Sequence, residues 1–206
     1  DKNPNDFLSK CILRGNLQIG TNIVAADIVA AKKAASGMSI EATGHNSDRS
    51  DITVADSFTA PQLYADACAF TRQQYKSRFG CDLASFYPMK VVSRTNGSID
   101  ALVGIRGASH TDLYLEQYFD AAIEVVIEEK TGLRCSRDQI VEIGSFAATS
   151  QIAALPLMRE TAGLLHAKGY RTAVSTANRA IRCCLAKLRL PTHRLAKVSS
   201  AATDRD

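Results

Sequence analysis

The sequence predicts a mixed α/β sheet flanked by helices, and three observations lead there. Asn96-Gly97 is a two-residue hairpin signal between apolar runs at 88–94 and 99–106. After the hairpin, strand and helix patterns alternate from residue 139 to residue 190. The 206 residues suffice for one well-filled core, although a hairpin plus β–α–β–α is by itself compatible with several folds. A hairpin followed by β–α–β–α requires antiparallel and parallel pairing together, which argues against a doubly wound sheet.

The elements can be justified in order. Residues 1–50 read as an N-terminal extension or linker, partly helical or flexible. Within it the Ala-rich stretch 23–35 has helical composition, while Gly37, Gly44, Asn46, Ser47, Asp48 and Ser50 punctuate its flank. Residues 52–58 partly alternate and read as the first strand. A helix follows over 61–79, with Pro61 at its start, Leu63, Ala67 and Phe70 at core spacing, and Gly80 as its stop. The hairpin comes next. Residues 113–130 read as a helix broken near Phe119 or Asp120 and capped by Gly132. The last four elements are strand 139–144, helix 153–168 ending at Gly169, strand 172–175 and helix 178–190, which Pro191 stops. The domain is therefore read as 51–200, with a tail at 201–206.

Composition narrows the function classes. No apolar run approaches the roughly 20 residues a membrane helix requires, and the N-terminus shows no leader pattern. Six cysteines (Cys11, Cys68, Cys81, Cys135, Cys183 and Cys184) have no CxxC spacing. His45, His110, His166 and His193 share no ligand spacing either, so no metal site is expected. Reduced thiols in a cytoplasmic protein are the natural reading. The net charge is only +4, yet no acidic residue lies between Glu160 and Asp204. That interval carries Lys168, Arg171, Arg179, Arg182, Lys187, Arg189, Arg194 and Lys197. Two accounts stay open: a solvated cationic face, or a surface for a phosphorylated or acidic partner.

The stretch most suggestive of a site begins at the strand ending in Gly144. Ile140, Val141 and Ile143 are apolar, whereas Ser145, Ala147, Ala148, Thr149 and Ser150 read as a tight turn into a helix. Such a turn presents free backbone N–H groups, and an anion is their natural occupant. Glu142 sits inside the apolar strand, where burial would raise its pKa and suit it to base work; facing outward or pairing with an arginine is the alternative. Cys184 lies on the stripe Ile181, Cys184, Leu185 and Leu188, so it is either core filling or a proton donor or acyl acceptor. Asn178 is placed to cap the last helix.

Four segments carry a family resemblance: GIRGAS (104–109), LYLEQYFDAAIE (113–124), IVEIGSFA (140–147) and IRCCLAKLRLP with HRLA (181–196). Their order and spacing, with Gly104, Arg106, Glu116, Tyr118, Asp120, Glu124, Glu142 and Gly144 on the pattern, resemble the thermostable hemolysin family. That resemblance implies the fold of GNAT acyltransferases, the class that includes acyl-homoserine-lactone synthases. It further implies that Phe146, Ala147, Thr149, Ser150, Gln151, Ile152 and Ala153, with Asn178, cradle the pyrophosphate of an acyl-CoA donor. Where GNAT turns are glycine-rich, this chain has Gln151, Ile152, Ala153 and Ala154.

The expected activity is acyl transfer to the amine of a small molecule. Glu142 is the candidate base and Cys184 the candidate acid or acyl acceptor. Arg106, Glu116, Tyr118 and Glu124 are the candidates for holding the acceptor, with ion pairing among them as the structural alternative. An acyl carrier protein or an aminoacyl-tRNA would also supply phosphates to the basic region. The alternatives from other classes are a GNAT-fold binding or regulatory protein without catalysis, and a membrane-lytic protein.

Overall fold

The computed structural model describes residues 22–30, 51–80, 82–83, 85–109 and 111–197. Its first element corrects the sequence reading: the start of the expected 23–35 helix is strand β1 (Asn22–Asp27). Periodicity cannot separate a short apolar run into strand or helix. Tertiary context decides here, because β1 lies between two other strands and Ile23, Val24 and Ala25 are buried. The sheet thus takes a strand from the segment read as an extension. Residues 28–30 are helical, as expected; the rest of that stretch, beyond residue 30, and the tail at 201–206 lie outside the described residues.

Strand β2 (Asp51–Asp56) leads to helix α1 (Pro61–Phe79), which has Pro in its first turn and ends at Gly80, in the left-handed region at φ 65°. Asn96 and Gly97, with φ of 52° and 79°, make the expected turn between β3 (Met89–Thr95) and β4 (Ser98–Gly107). The predicted break in 113–130 is real. A 3₁₀ turn (Tyr114–Tyr118) is separated from α2 (Ile123–Thr131), and the Glu116 carboxylate accepts hydrogen bonds from Leu113 N at 2.8 Å and Ile123 N at 3.1 Å. One side chain therefore holds both ends of the interruption.

Strand β5 (Ile140–Ala148), helix α3 (Gln151–Ala167), strand β6 (Thr172–Ala177) and helix α4 (Arg179–Lys187) follow the expected alternation. A last strand, β7 (Thr192–Lys197), was not expected from sequence. Most of its side chains are exposed, so the apolar alternation that marks a strand is missing.

Among the described residues the seven strands form one sheet in the order β2-β3-β4-β5-β6-β1-β7. Only β5 and β6 pair in parallel; β1 is antiparallel to both its neighbours. Adjacent residues face opposite sides of the sheet. On one face Val92, Leu102 and Ala147 pack with Ala67 of α1; on the other Val91, Val103, Val141 and Ala148 pack with Leu157 and Leu165 of α3. The sheet is thus sandwiched between helices. Among the described residues no helix is long and apolar enough to cross a membrane.

Candidate active site

The ladder between β5 and β6 stops early. Their pairing runs from Ile140–Thr172 to Ile143–Ser175, yet β5 continues to Ala148 beside β4, and β6 continues to Ala177 beside β1. The two parallel strands therefore separate beyond Ile143 and Ser175, opening a gap in the middle of the sheet. A bulge helps to make it. Two residues of β5, Ser145 and Phe146, stand opposite the single Val103 of β4, and buried Ser145 adopts a left-handed φ of 49°. The small residues read as a tight turn after Gly144 thus continue β5 as a bulged strand, and the helix starts only at Gln151.

Two helix N-termini flank this gap. Ser150 caps α3 by accepting from Ala153 N at 3.2 Å, and Asn178 caps α4 by accepting from Ile181 N at 3.0 Å. Neither first turn contains an acidic residue. Helix geometry leaves the first-turn N–H groups of Gln151 and Ile152 without carbonyl partners inside α3. Their partial positive charge favours an anion. The absence of glycine carries no strain, because Gln151 and Ile152 are helical and the positive φ falls on Ser145 instead.

A cavity of about 600 Å³ passes through the gap and reaches both faces of the sheet. On the α1 face Gln74, Tyr75, Arg78, Tyr87, Tyr114 and Glu142 line it. Arg78 donates to the carbonyl of Ala148, which fixes a cation at this rim. Across the gap, Gln151 Nε2 points to Cys184 Sγ at 3.7 Å.

Among the described residues Glu142 supplies the one carboxyl that lines the cavity. Its side chain is 1% exposed, and desolvation pushes its pKa up to about 7. Opposing that rise, Glu142 Oε2 accepts from Tyr114 N at 2.8 Å, the Arg106 charge lies nearby, and the Tyr87 hydroxyl and Leu115 N are further hydrogen-bond partners. Tyr87 is buried, and its hydroxyl is held well above its ordinary pKa by desolvation first and the Glu142 charge second. It therefore acts as a neutral donor. The ring rests on Gly104 and Gly144, a cross-strand pair whose missing side chains make room for it. Arg106 stacks on Tyr87 at 5.1 Å from the ring centroid.

The profile of a family named for thermostable hemolysin matches residues 59–206, most of the chain. The chain belongs to the thermostable hemolysin family. No curated protein matches it. Among solved structures, the AHL synthase LasI is similar with a TM-score of 0.50 at 14% identity, over 68% of this chain and 78% of LasI. A GCN5-related N-acetyltransferase from Kribbella flavida is similar with a TM-score of 0.41 at 15% identity, over 87% of this chain and 56% of that one. The family member described here has a GNAT-like fold, a mixed sheet with flanking helices.

Of the residues singled out from sequence, Glu142, Cys184, Phe146, Ala147, Thr149, Ser150, Gln151 and Asn178 line one cavity. Ile152 and Ala153 stand at the start of α3 outside that lining, with the Ile152 side chain 84% exposed. Glu116 and Glu124 lie elsewhere, bound to Arg137 at 2.7 Å and 3.1 Å. Tyr118 packs edge-on against Tyr114 in the core, at a centroid distance of 6.2 Å. Arg106 reaches the site through Tyr87 and does not line the cavity. Sequence reasoning missed Tyr87 and Arg78. The usable signal for Tyr87 was the glycine pair, two strand interiors each giving up a side chain to something that approaches closely.

Proposed function

We propose that this chain is an N-acyltransferase that moves an acyl group from a thioester donor, most simply acyl-CoA, to the amine of a small molecule. The observation that carries this reading is the placement of Glu142 at the edge of a gap between two parallel strands whose open end is flanked by two helix N-termini. The LasI-like fold supports transfer chemistry of this class. Each part then has a physical task.

The pyrophosphate of the donor sits against the first-turn N–H groups of α3, with Ser150, Gln151 and Asn178 around it. The pantetheine arm enters between the separated halves of β5 and β6 and presents the thioester near Gly144 and Ser145. The acceptor approaches from the α1 face as an ammonium ion. Glu142 removes one proton, and its pKa near 7 allows that at neutral pH. The free amine attacks the thioester carbonyl, the C–S bond breaks, and the departing thiolate takes a proton from the Cys184 thiol. Solvent restores the Cys184 proton, and the second amine proton is lost as the amide forms. Tyr87 and Arg106 hold Glu142 in place and keep part of its population ionised.

Titration with coenzyme A at two salt concentrations tests the donor. Saturable binding near one per chain, weaker in high salt, is the expected result. Acyl carrier protein and aminoacyl-tRNA are the other phosphate-bearing donors, and failure of CoA to bind would favour them. An inert GNAT-fold binder would bind the donor and release no thiol with any amine.

A further inference from the structure

The cavity does not end at the gap. On the α3 face it continues past Ile143 and Ser175, the last paired residues of β5 and β6, to Ala173, Leu165 and Ile28. Along β6 the lining reaches Ala173, two residues below Ser175, on the order of 7 Å at strand rise, and Ile28, whose N donates to the carbonyl of Arg171, stands at its far end. A thioester held at Gly144 needs no such space for an acetyl group. The arm is also dry in character. Met158 and Leu165 of α3 and Ile143 of β5 line it, and of its hydroxyls Thr161 already donates to Leu157 O at 2.7 Å while Ser175 stands at its mouth. A lining this largely apolar favours an uncharged hydrocarbon over a polar or charged occupant.

The wall that closes the arm is unusual. Val24, Ala26 and Ile28 line it, all from β1 and the residue after it. These positions precede residue 59, where the match to the family begins. Part of the cavity floor therefore comes from a stretch of the chain the family pattern does not define.

Building on the acyltransferase reading, we propose that this arm receives the hydrocarbon tail of the donor's acyl group, and that the N-terminal strand sets how long a tail fits. The donor is then a medium-chain acyl thioester, and Ala26 and Ile28 determine its length. Each methylene buried in the arm raises kcat/KM roughly fourfold until the tail meets Ile28. Ile28→Ala deepens the arm and moves the optimum to longer tails; Ala26→Leu shortens it and moves the optimum the other way.

The test uses the full chain with acetyl-, butyryl-, octanoyl- and decanoyl-CoA, reading calorimetric affinity and thiol release for wild type and both variants, with melting curves to confirm folding. Expected are an octanoyl-to-acetyl preference above 100-fold and opposite shifts of that ratio in the two variants. If unacylated CoA and every thioester bind alike and the ratio stays near one, the arm does not read the tail, while the donor reading survives. If no CoA compound binds at all, the donor reading fails and this inference fails with it. Should one variant not fold, the shift in the other still decides.

Discussion

The Tyr87 ring lies against Gly144, so close that a Cβ built on that glycine would collide with the phenol hydroxyl. Gly144 has no positive φ, so space alone excludes a side chain there. Gly144→Ala must therefore push Tyr87 off its seat and break its hydrogen bond to Glu142. The expected outcome is a protein that still folds, with kcat/KM at least 10-fold lower. Crystal or NMR data should show the displaced ring, and wild-type activity in Gly144→Ala would remove Tyr87 from the site.

Glu142 gives a pH signature. A carboxylate must be ionised to accept a proton, so kcat/KM should rise with pH and level off above an apparent pKa near 7. Tyr87→Phe removes a donor that stabilises the carboxylate, and the rising limb should move to higher pH. Glu142→Gln should cost 10²-fold or more in thiol release with CoA affinity retained. The same residue shapes stability. Its folded pKa lies above the ordinary 4.5, so the folded state holds the extra proton between pH 4.5 and about 7 and loses stability as pH rises through that window. Denaturant midpoints of Glu142→Gln should lack that decline.

Arg137 gathers two of the carboxylates on the family pattern, Glu116 and Glu124. Its guanidinium makes 2.7 Å bonds to both oxygens of Glu116, reaches Glu124 at 3.1 Å and donates to Ala108 O at 2.9 Å. Arg137 first, then the backbone N–H groups of Leu113 and Ile123, hold Glu116 down to about 2 against desolvation. Its contribution is complete above pH 4.5 and is lost as pH falls towards 2. Arg137→Ala should lower stability by about 2 kcal/mol at pH 7, as expected for charge-assisted bonds at a half-buried site. Chemical denaturation checks this, and CoA affinity should change less than twofold.

What was legible in the sequence follows from how local each signal is. Asn96-Gly97 forces its own turn, and Pro61 with Gly80 brackets α1, so those elements needed no tertiary information. Glu142 stood out because a carboxylate inside an apolar strand is costly when it points inward, and here it does. The strand containing it was read four residues short, since Ser145, Ala147 and Ala148 have turn-like composition and a bulge has no local signature. β1 and β7 were hidden for opposite reasons: one is a short apolar run of ambiguous period, the other a mostly exposed edge. Tyr87 could be found only by knowing that Gly104 and Gly144 are neighbours across two strands.

Lys90 marks a cost the fold carries away from the cavity. Its side chain is fully buried in β3, its Nζ has no hydrogen-bond partner among the described residues, and the Phe86 ring lies 5.0 Å away. Desolvation lowers its pKa from 10.5 to about 8, which a weaker interaction with Cys68 only partly offsets. The unfolded chain therefore holds this proton more tightly than the folded one between pH 8 and 10.5. Stability on this account is lowest below about pH 8 and increases as pH rises through that window. Replacing the amine by a chain of similar volume removes the penalty without opening a cavity. Lys90→Met should be more stable than wild type by on the order of 2–3 kcal/mol at pH 7. The gain should shrink steadily towards pH 10. Guanidinium melts of both proteins at pH 7, 8.5 and 10 measure the difference, and a gain that stayed constant with pH would mean that packing, rather than the buried charge, sets the cost at this position.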